Sequence, residues 1–378
     1  MTFFSNFLNS HQLPLAREFD AMNDVEYTFV SLLRTEGVVG RESLDYDYPF
    51  VLREYDGSAE AAEAMRHAVE DDVVVFGDMA GKEDYVKARA RTGKLFFRYS
   101  ERLLKRGDWW RFAPPKIYRT WDRFGRYKDA NMYVLCASAY TARDLSMFGF
   151  PEGKCLKWGY FPDVEVYDGP KPTLQGNKSL CSAQRLIPLK RVDLQVQLAS
   201  RLKAEGFKFK LRIAGDGSER PRLEAMAREL GVGGCVEFLG ELTHDETIQL
   251  MRDSEVFLAT SNRKEGWGAT INEAMASGCC VVASEEMGAA PFLIEDGASG
   301  VLFRCGSVDE LAGAVSGLLA SEGEAGRMGF AAQRTMRDLW SAGAAARRLL
   351  LAAGGGELPE GGPASPTEAG GRGVPLAR

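Results

Sequence analysis

Short apolar segments alternate with amphipathic or Ala-rich segments along most of this chain. That rhythm is the strongest constraint on its fold. A strand-like run followed each time by a helix-like run builds a parallel sheet with helices on both faces. Val73-Val74-Val75-Phe76 is apolar throughout, as a strand covered on both faces requires. In the first half, residues 2–7, 27–31, 73–76, 94–98 and 132–136 read as strands. Residues 14–22, 58–70 and 141–148 read as helices, with Pro14 at a helix start and Ser58 as an N-cap.

The second half repeats the rhythm more cleanly. Residues 179–183, 208–214, 236–239, 256–259 and 279–283 read as strands. Residues 192–204, 220–230, 244–253, 270–277 and 308–319 read as helices, and Gly278 ends one of them. Between the halves, Gly159, Pro162, Gly169, Pro170, Pro172 and Gly176 crowd a stretch that no helix or central strand tolerates. The expectation is an α/β protein of two doubly wound, Rossmann-like domains, 1–160 and 178–328, joined by a linker at 161–177. Residues 329–352 are expected to be helical and to cross back to the first domain. Residues 353–378, rich in Gly, Pro and Ala without periodicity, read as a disordered tail.

A chain of 378 residues with 45% apolar content can fill two cores. Its net charge of -6 argues against nucleic acid as a partner, since phosphate neutralisation needs a basic field. Seven Cys without a C-x2-C pair, and three His, offer no zinc spacing; unclustered thiols suit a reducing cytosol. No basic, then apolar, leader opens the chain, and no apolar run is long enough to span a bilayer. The expected location is cytoplasmic, with peripheral contact on the inner membrane face left open.

The segment with the most chemistry is Glu265-Gly266-Trp267-Gly268-Ala269-Thr270-Ile271-Asn272-Glu273. It follows a strand and opens a helix. Gly266 and Gly268 let backbone approach a ligand closely. Amides at a helix start favour a phosphate group. Glu265 falls at the strand's carboxyl end, where ligands bind in open α/β sheets. Glu273, two turns into the helix, can accept hydrogen bonds from a diol such as ribose. A bare pair of acids would be two solvated side chains; the glycines and Ala274-Met275-Ala276-Ser277-Gly278 in the same joint favour a binding site.

This segment resembles the E-x7-E motif of retaining GT-B glycosyltransferases, glycosyltransferase family 4 in particular. The resemblance implies that Glu265 contacts the donor sugar, that Glu273 binds the ribose, and that Trp267 lies on the donor side. Arg185-Leu186-Ile187-Pro188-Leu189-Lys190 resembles the family's R-L-x-x-x-K segment, whose Arg and Lys hold the donor diphosphate. Two cations at a strand end can also stabilise a pyrophosphate leaving group on physical grounds. The family often has Gly after that Lys; here it is Arg191. Gly215 in Ala214-Gly215-Asp216-Gly217 and Leu239 in Phe238-Leu239-Gly240 match the family's next two strand exits, on the donor side. As a dinucleotide fingerprint the first is poor, because Arg220 stands where a third Gly is needed, so NAD is disfavoured.

The first half matches less specifically. His11, in the loop after the first strand, can donate to a phosphate or the acceptor. Where the family often carries a functional His, this chain has Phe96-Phe97-Arg98-Tyr99-Ser100-Glu101, so Arg98 and Glu101 are expected to line the acceptor side instead. Asp45-Tyr46-Asp47 is a D-x-D triplet far from any nucleotide motif and reads as chance; no metal and no cofactor are expected. Residues 102–128 hold nine basic residues, two acids and seven aromatics. That mixture suits an anionic membrane interface, and suits equally a packed aromatic region with a solvated basic face. The implied activity is transfer of a sugar from a nucleotide diphosphate sugar to a saccharide or lipid-linked acceptor, with the two domains facing across a cleft. A sugar-nucleotide epimerase and an inactive scaffold for a partner transferase remain as alternatives.

Overall fold

The computed structural model describes residues 1–34, 48–163, 165–167, 178–356 and 361–367. The chain forms two compact units. Of the described residues, those from 1 to 163 and from 341 to 367 form one unit, and those from 165 to 340 form the other. Asp45-Tyr46-Asp47 and most of the expected linker lie outside the described residues.

The first unit holds seven strands: β1 (Thr2–Ser5), β2 (Thr28–Ser31), β3 (Val51–Arg53), β4 (Val74–Phe76), β5 (Phe96–Ser100), β6 (Met132–Cys136) and β7 (Cys155–Lys157). Their order is β3-β2-β1-β4-β5-β6-β7, and every pairing is parallel. The inner strands are mostly buried, and Phe4, Phe76 and Phe96 pack in sequence through the middle of the sheet. β3 and β7 are short edge strands, too brief to stand out in the sequence.

The second unit holds β8 (Lys178–Ala183), β9 (Phe209–Ala214), β10 (Val236–Gly240), β11 (Val256–Ala259), β12 (Cys280–Ser284) and β13 (Gly300–Phe303). The order is β10-β9-β8-β11-β12-β13, again parallel. Both sheets are Rossmann-like. In each, the winding direction reverses once, between β1 and β4 and between β8 and β11. Loops leaving the carboxyl ends of two such strands diverge and open a crevice.

Local chemistry sets several boundaries. The helix Val192–Ala204 starts after Arg191, whose backbone is left-handed (φ 51°, ψ 41°). A side chain there costs about 1–2 kcal/mol, which explains why Gly is common at this place in the family. Here the Arg191 guanidinium reaches Asp193 at 3.0 Å and offsets part of that cost. The N-cap expected at Ser58 is instead Gly57, and Ser58 is the first helical residue. Residues 329–352 form two helices, Glu324–Asp338 and Ala342–Ala353, separated where Ser341 accepts from the Ala344 amide at 3.3 Å. The second packs on the helix Leu13–Asp20 of the first unit.

The tail needs a correction. Residues 361–367 are ordered against the edge strand β7. The Lys157 amide donates to Ser365 at 2.8 Å, the Ala364 amide to Lys157 at 2.7 Å, and the Thr367 amide to Cys155 at 3.0 Å. Arg348 donates to the Pro363 carbonyl at 2.6 Å and also to Gly361. Composition misled here because the Gly and Pro residues shape a strap; Gly361 and Gly362 take positive φ values of 68° and 71°. Backbone pairing, which needs no apolar period, satisfies an otherwise open edge.

Candidate functional site

β8 and β11 leave the second sheet at its reversal point, and their loops are tied together by a buried polar chain. Ser182 Oγ donates to Gln195 Oε1 at 2.7 Å, and Gln195 Nε2 donates to Thr260 Oγ1 at 2.9 Å. Thr260 Oγ1 in turn donates to the Lys190 carbonyl at 2.9 Å. The Asn262 amide closes the arrangement by donating to the Leu189 carbonyl, also at 2.9 Å. Ser182, Gln195 and Thr260 are fully buried. The turn carrying Lys190 is therefore fixed to the end of β11. Its ammonium forms an ion pair with Glu265, and both side chains are more than four-fifths covered. The sequence assigns Lys190 to the diphosphate and Glu265 to the donor sugar without linking them, and it gives no role to Gln195 or Thr260. A polar residue on the buried face of an apolar helix is the signal that could have found Gln195.

Glu273 lies on the helix Thr270–Ala276 and is 9% exposed. Its carboxyl has no hydrogen-bond or ion-pair partner among the described residues. Burial alone pushes its pKa up to about 7. A buried acid without a partner is costly, and such groups concentrate where a ligand supplies the missing contacts. Its neighbour Asn272 is occupied differently, accepting from Trp267 Nε1 at 2.9 Å.

That contact corrects one expectation. Trp267 is 1% exposed and packs with Phe292 and Trp340, so its side chain supports the loop from beneath and presents no face to a donor. Gly268 does require glycine: its φ is 98°, and a Cβ would sit 2.6 Å from Met287 Cε. Gly266 is buried. Gly215 and Gly217 also need to be glycine, but for internal reasons. A Cβ on either would collide with the carbonyl of Gln184 or Leu186. The β9 loop thus packs directly on the loop of Arg185, with the Leu186 amide donating to Asp216 at 2.7 Å. Leu239 is half-buried, at a register shift in β10 between Phe238 and Gly240. Arg185 is exposed and makes no ion pair among the described residues.

In the first unit the expected residues separate. Arg98 is 0% exposed and donates two hydrogen bonds to Glu83, at 2.6 and 3.0 Å, with its guanidinium over the Phe124 ring. It is an internal ion pair, and the acceptor role expected for Arg98 is withdrawn. Glu101 is part-exposed, pairs with Lys105, and accepts from the Tyr160 hydroxyl at 2.6 Å. The His11 ring stacks on Tyr160 at 5.4 Å. His11 and Glu101 are thus brought together by Tyr160, a residue to which the sequence reading gave no role. Among the described residues no cluster of His, Cys, Asp or Glu could hold a metal ion.

Two Rossmann-like parallel sheets, the second with acids and cations gathered at its reversal point, are the architecture of the GT-B class. Solved structures agree over most of the chain. Anabaena HepE in complex with UDP superposes with a TM-score of 0.67 at 16% identity, covering 94% of this chain and 99% of that one. The lipopolysaccharide outer core galactosyltransferase WaaB, in its apo form, gives 0.68 at 18% identity, with the same coverage. Residues 166–335 match the family model described as Glycosyl transferases group 1. Among curated relatives, the GDP-mannose-dependent alpha-(1-6)-phosphatidylinositol monomannoside mannosyltransferase of Mycolicibacterium smegmatis is 31% identical over 162 residues, 41% of this chain and 42% of that protein. The matched segments span between 16% and 42% of the length of the curated relatives.

Proposed function

We propose that this protein transfers a sugar from a nucleotide diphosphate sugar to a saccharide or lipid-linked saccharide in polysaccharide or glycolipid synthesis. The observation that carries this reading is Glu273, a buried carboxyl lacking a partner among the described residues, in the same strand–turn–helix joint as Glu265, which pairs with Lys190. A nucleotide ribose supplies two hydroxyl donors to Glu273. A diphosphate entering beside Lys190 shares its charge and draws on Arg185, which has no other ion pair among the described residues. Glu265 is then left to orient the sugar hydroxyls. Relatives whose names describe transfer of nucleotide-activated sugars, and HepE solved with UDP, support this reading and make UDP the first nucleotide to test.

In the reaction, the bond from the anomeric carbon to the β-phosphate oxygen breaks as the acceptor oxygen bonds to the same carbon. The acceptor proton passes to the departing diphosphate. Lys190 and Arg185 stabilise the charge that builds there. Retention of configuration follows if both events share one face of the sugar, and no metal is required where two cations do this work. The site belongs on the cytoplasmic side, where nucleotide sugars are available, and the acceptor at an anionic membrane surface belongs to the same reading.

Thermal shift against a panel of nucleotide diphosphates and their sugars tests it, because a ligand that binds the folded state raises apparent stability. In calorimetry, Glu273→Ala is expected to weaken binding of the best nucleotide by about 1–3 kcal/mol. Unchanged affinity would remove the ribose role from Glu273.

A further inference from the structure

The helix Pro114–Arg123 has its amphipathicity reversed. Pro114, Ile117, Tyr118 and Trp121 recur at the spacing of a single helix face, and that face is exposed to solvent. The side turned toward the protein carries Lys116, Thr120 and Arg123. Thr120 is buried, and burial lowers the pKa of both Lys116 and Arg123. The preceding 3-10 helix Asp108–Phe112 packs on this helix and adds Trp109 and Phe112 to the outside. Trp109, Phe112, Ile117, Tyr118 and Trp121 are between 46% and 68% exposed. Scattered single apolar residues are ordinary on a protein surface, but five on two adjoining short elements make a patch that needs an occupant.

Charge selects the occupant. The segment 102–128 carries nine basic residues and two acids in a chain of net charge -6, so the remainder carries -13. Both acids are already paired, Asp108 with Arg143 and Asp122 with Arg126. Arg106, Arg111, Arg119 and Lys128 have no ion-pair partner among the described residues. Several guanidinium groups lie over aromatic rings of the same surface: Arg106 over Trp110, Arg111 over Phe112, Arg126 over Trp121. Each of these cations is thereby held beside an aromatic ring of the same surface. An interfacial lipid surface demands apolar groups at the acyl boundary and cations among anionic headgroups.

We infer that the 3-10 helix Asp108–Phe112 and the helix Pro114–Arg123 form a docking surface for an anionic bilayer. The patch inserts its five apolar side chains into the interface, and the acidic remainder of the chain keeps other faces off the membrane. The inference deepens the membrane side of the proposed function. It needs neither donor nor acceptor to be tested, so it can fail while the donor site stands.

Vesicle flotation of the full chain decides the matter, using phosphatidylcholine vesicles with and without phosphatidylglycerol. Anionic vesicles should capture the wild type at least about tenfold better than neutral ones at low salt, with the advantage shrinking as salt rises. The triple variant Trp109→Ser, Phe112→Ser, Trp121→Ser should lose capture about tenfold, and so should Arg106→Glu, Arg111→Glu, Arg119→Glu. These side chains are at the surface, and unchanged circular dichroism confirms intact folding. In the wild type, mid-chain brominated lipid should quench tryptophan emission. Equal capture by both vesicle types, or undiminished capture of the apolar triple variant, overturns the inference. It is overturned equally if a single-stranded oligonucleotide displaces the vesicles at physiological salt, or if the patch variants turn a dimer into a monomer in sedimentation.

Discussion

The two sheets share a winding order, yet charges near their strand ends are used differently. At the end of β5 in the first unit, the strongest charges are consumed internally. Arg98 is spent on Glu83, and Glu101 on Lys105 and Tyr160. Around β8 and β11 in the second unit, a buried polar chain holds the Lys190–Glu265 pair in place, while Glu273 is buried with nothing to bind. Charge at a strand end is therefore a poor sign of function by itself. A polar group placed at a cost and left unsatisfied is a better one.

Substitution of the two cations gives the largest test of that contrast. Arg98→Ala removes one partner of a buried pair and should lower stability by about 3–5 kcal/mol in denaturant melts. Lys190→Ala should cost less, about 1–3 kcal/mol of stability, since the Lys190 ammonium is itself partly exposed whereas the Arg98 guanidinium is not. Its effect should fall on turnover, lowering kcat about 10²–10³-fold. If Arg98→Ala leaves stability intact, or Lys190→Ala leaves turnover intact, the distinction between structural and functional charge is lost.

Glu273 gives the next test, through pH. Its pKa is raised from 4.5 to about 7 in the folded protein. Between those values the folded state holds a proton that the unfolded chain has released, so stability present below about pH 4.5 is lost as pH rises toward 7. The loss is about 3 kcal/mol. Glu273→Gln should remove this component, so that its advantage over wild type grows by that amount between pH 4 and pH 8 in parallel urea melts. Parallel stability profiles for the two proteins would mean that the carboxyl has a partner in solution.

The smallest expected effect is none. Turnover should survive EDTA, because Arg185 and Lys190 supply the positive charge at the leaving group. Activity that disappears in EDTA and returns with Mg²⁺ or Mn²⁺ would shift that electrostatic role to a metal.

The sequence made the second unit legible for physical reasons. Several of its strands are short apolar runs, and β11 and the helix Val192–Ala204 coincide with the expected limits. Glu265, Glu273, Arg185 and Lys190 could be singled out because they lie in short segments with recognisable spacing. Tertiary direction was not legible. Trp267 is expected on the donor side and points into a Trp–Phe–Trp cluster; Gly215, expected there too, packs against a neighbouring carbonyl. Arg98 carried no mark of its partner Glu83, fifteen residues earlier. The aromatics of 102–128 could have packed inward on composition alone; only their solvent exposure shows that five do not.

The return of the chain from Ser341 to the first unit bears on how the protein is made. The helix Leu13–Asp20 packs against Ala342–Ala353, and β7 pairs with residues 364–367. On the ribosome the first unit emerges early but must wait for these final segments before its surface is closed. Residues 164–340 are continuous in sequence and can complete their core in one pass. The order of synthesis and the order of completion are thus opposed: the half that begins first finishes last. A nascent chain of this kind spends its longest vulnerable interval with an open sheet edge in the half that also carries the exposed tryptophans.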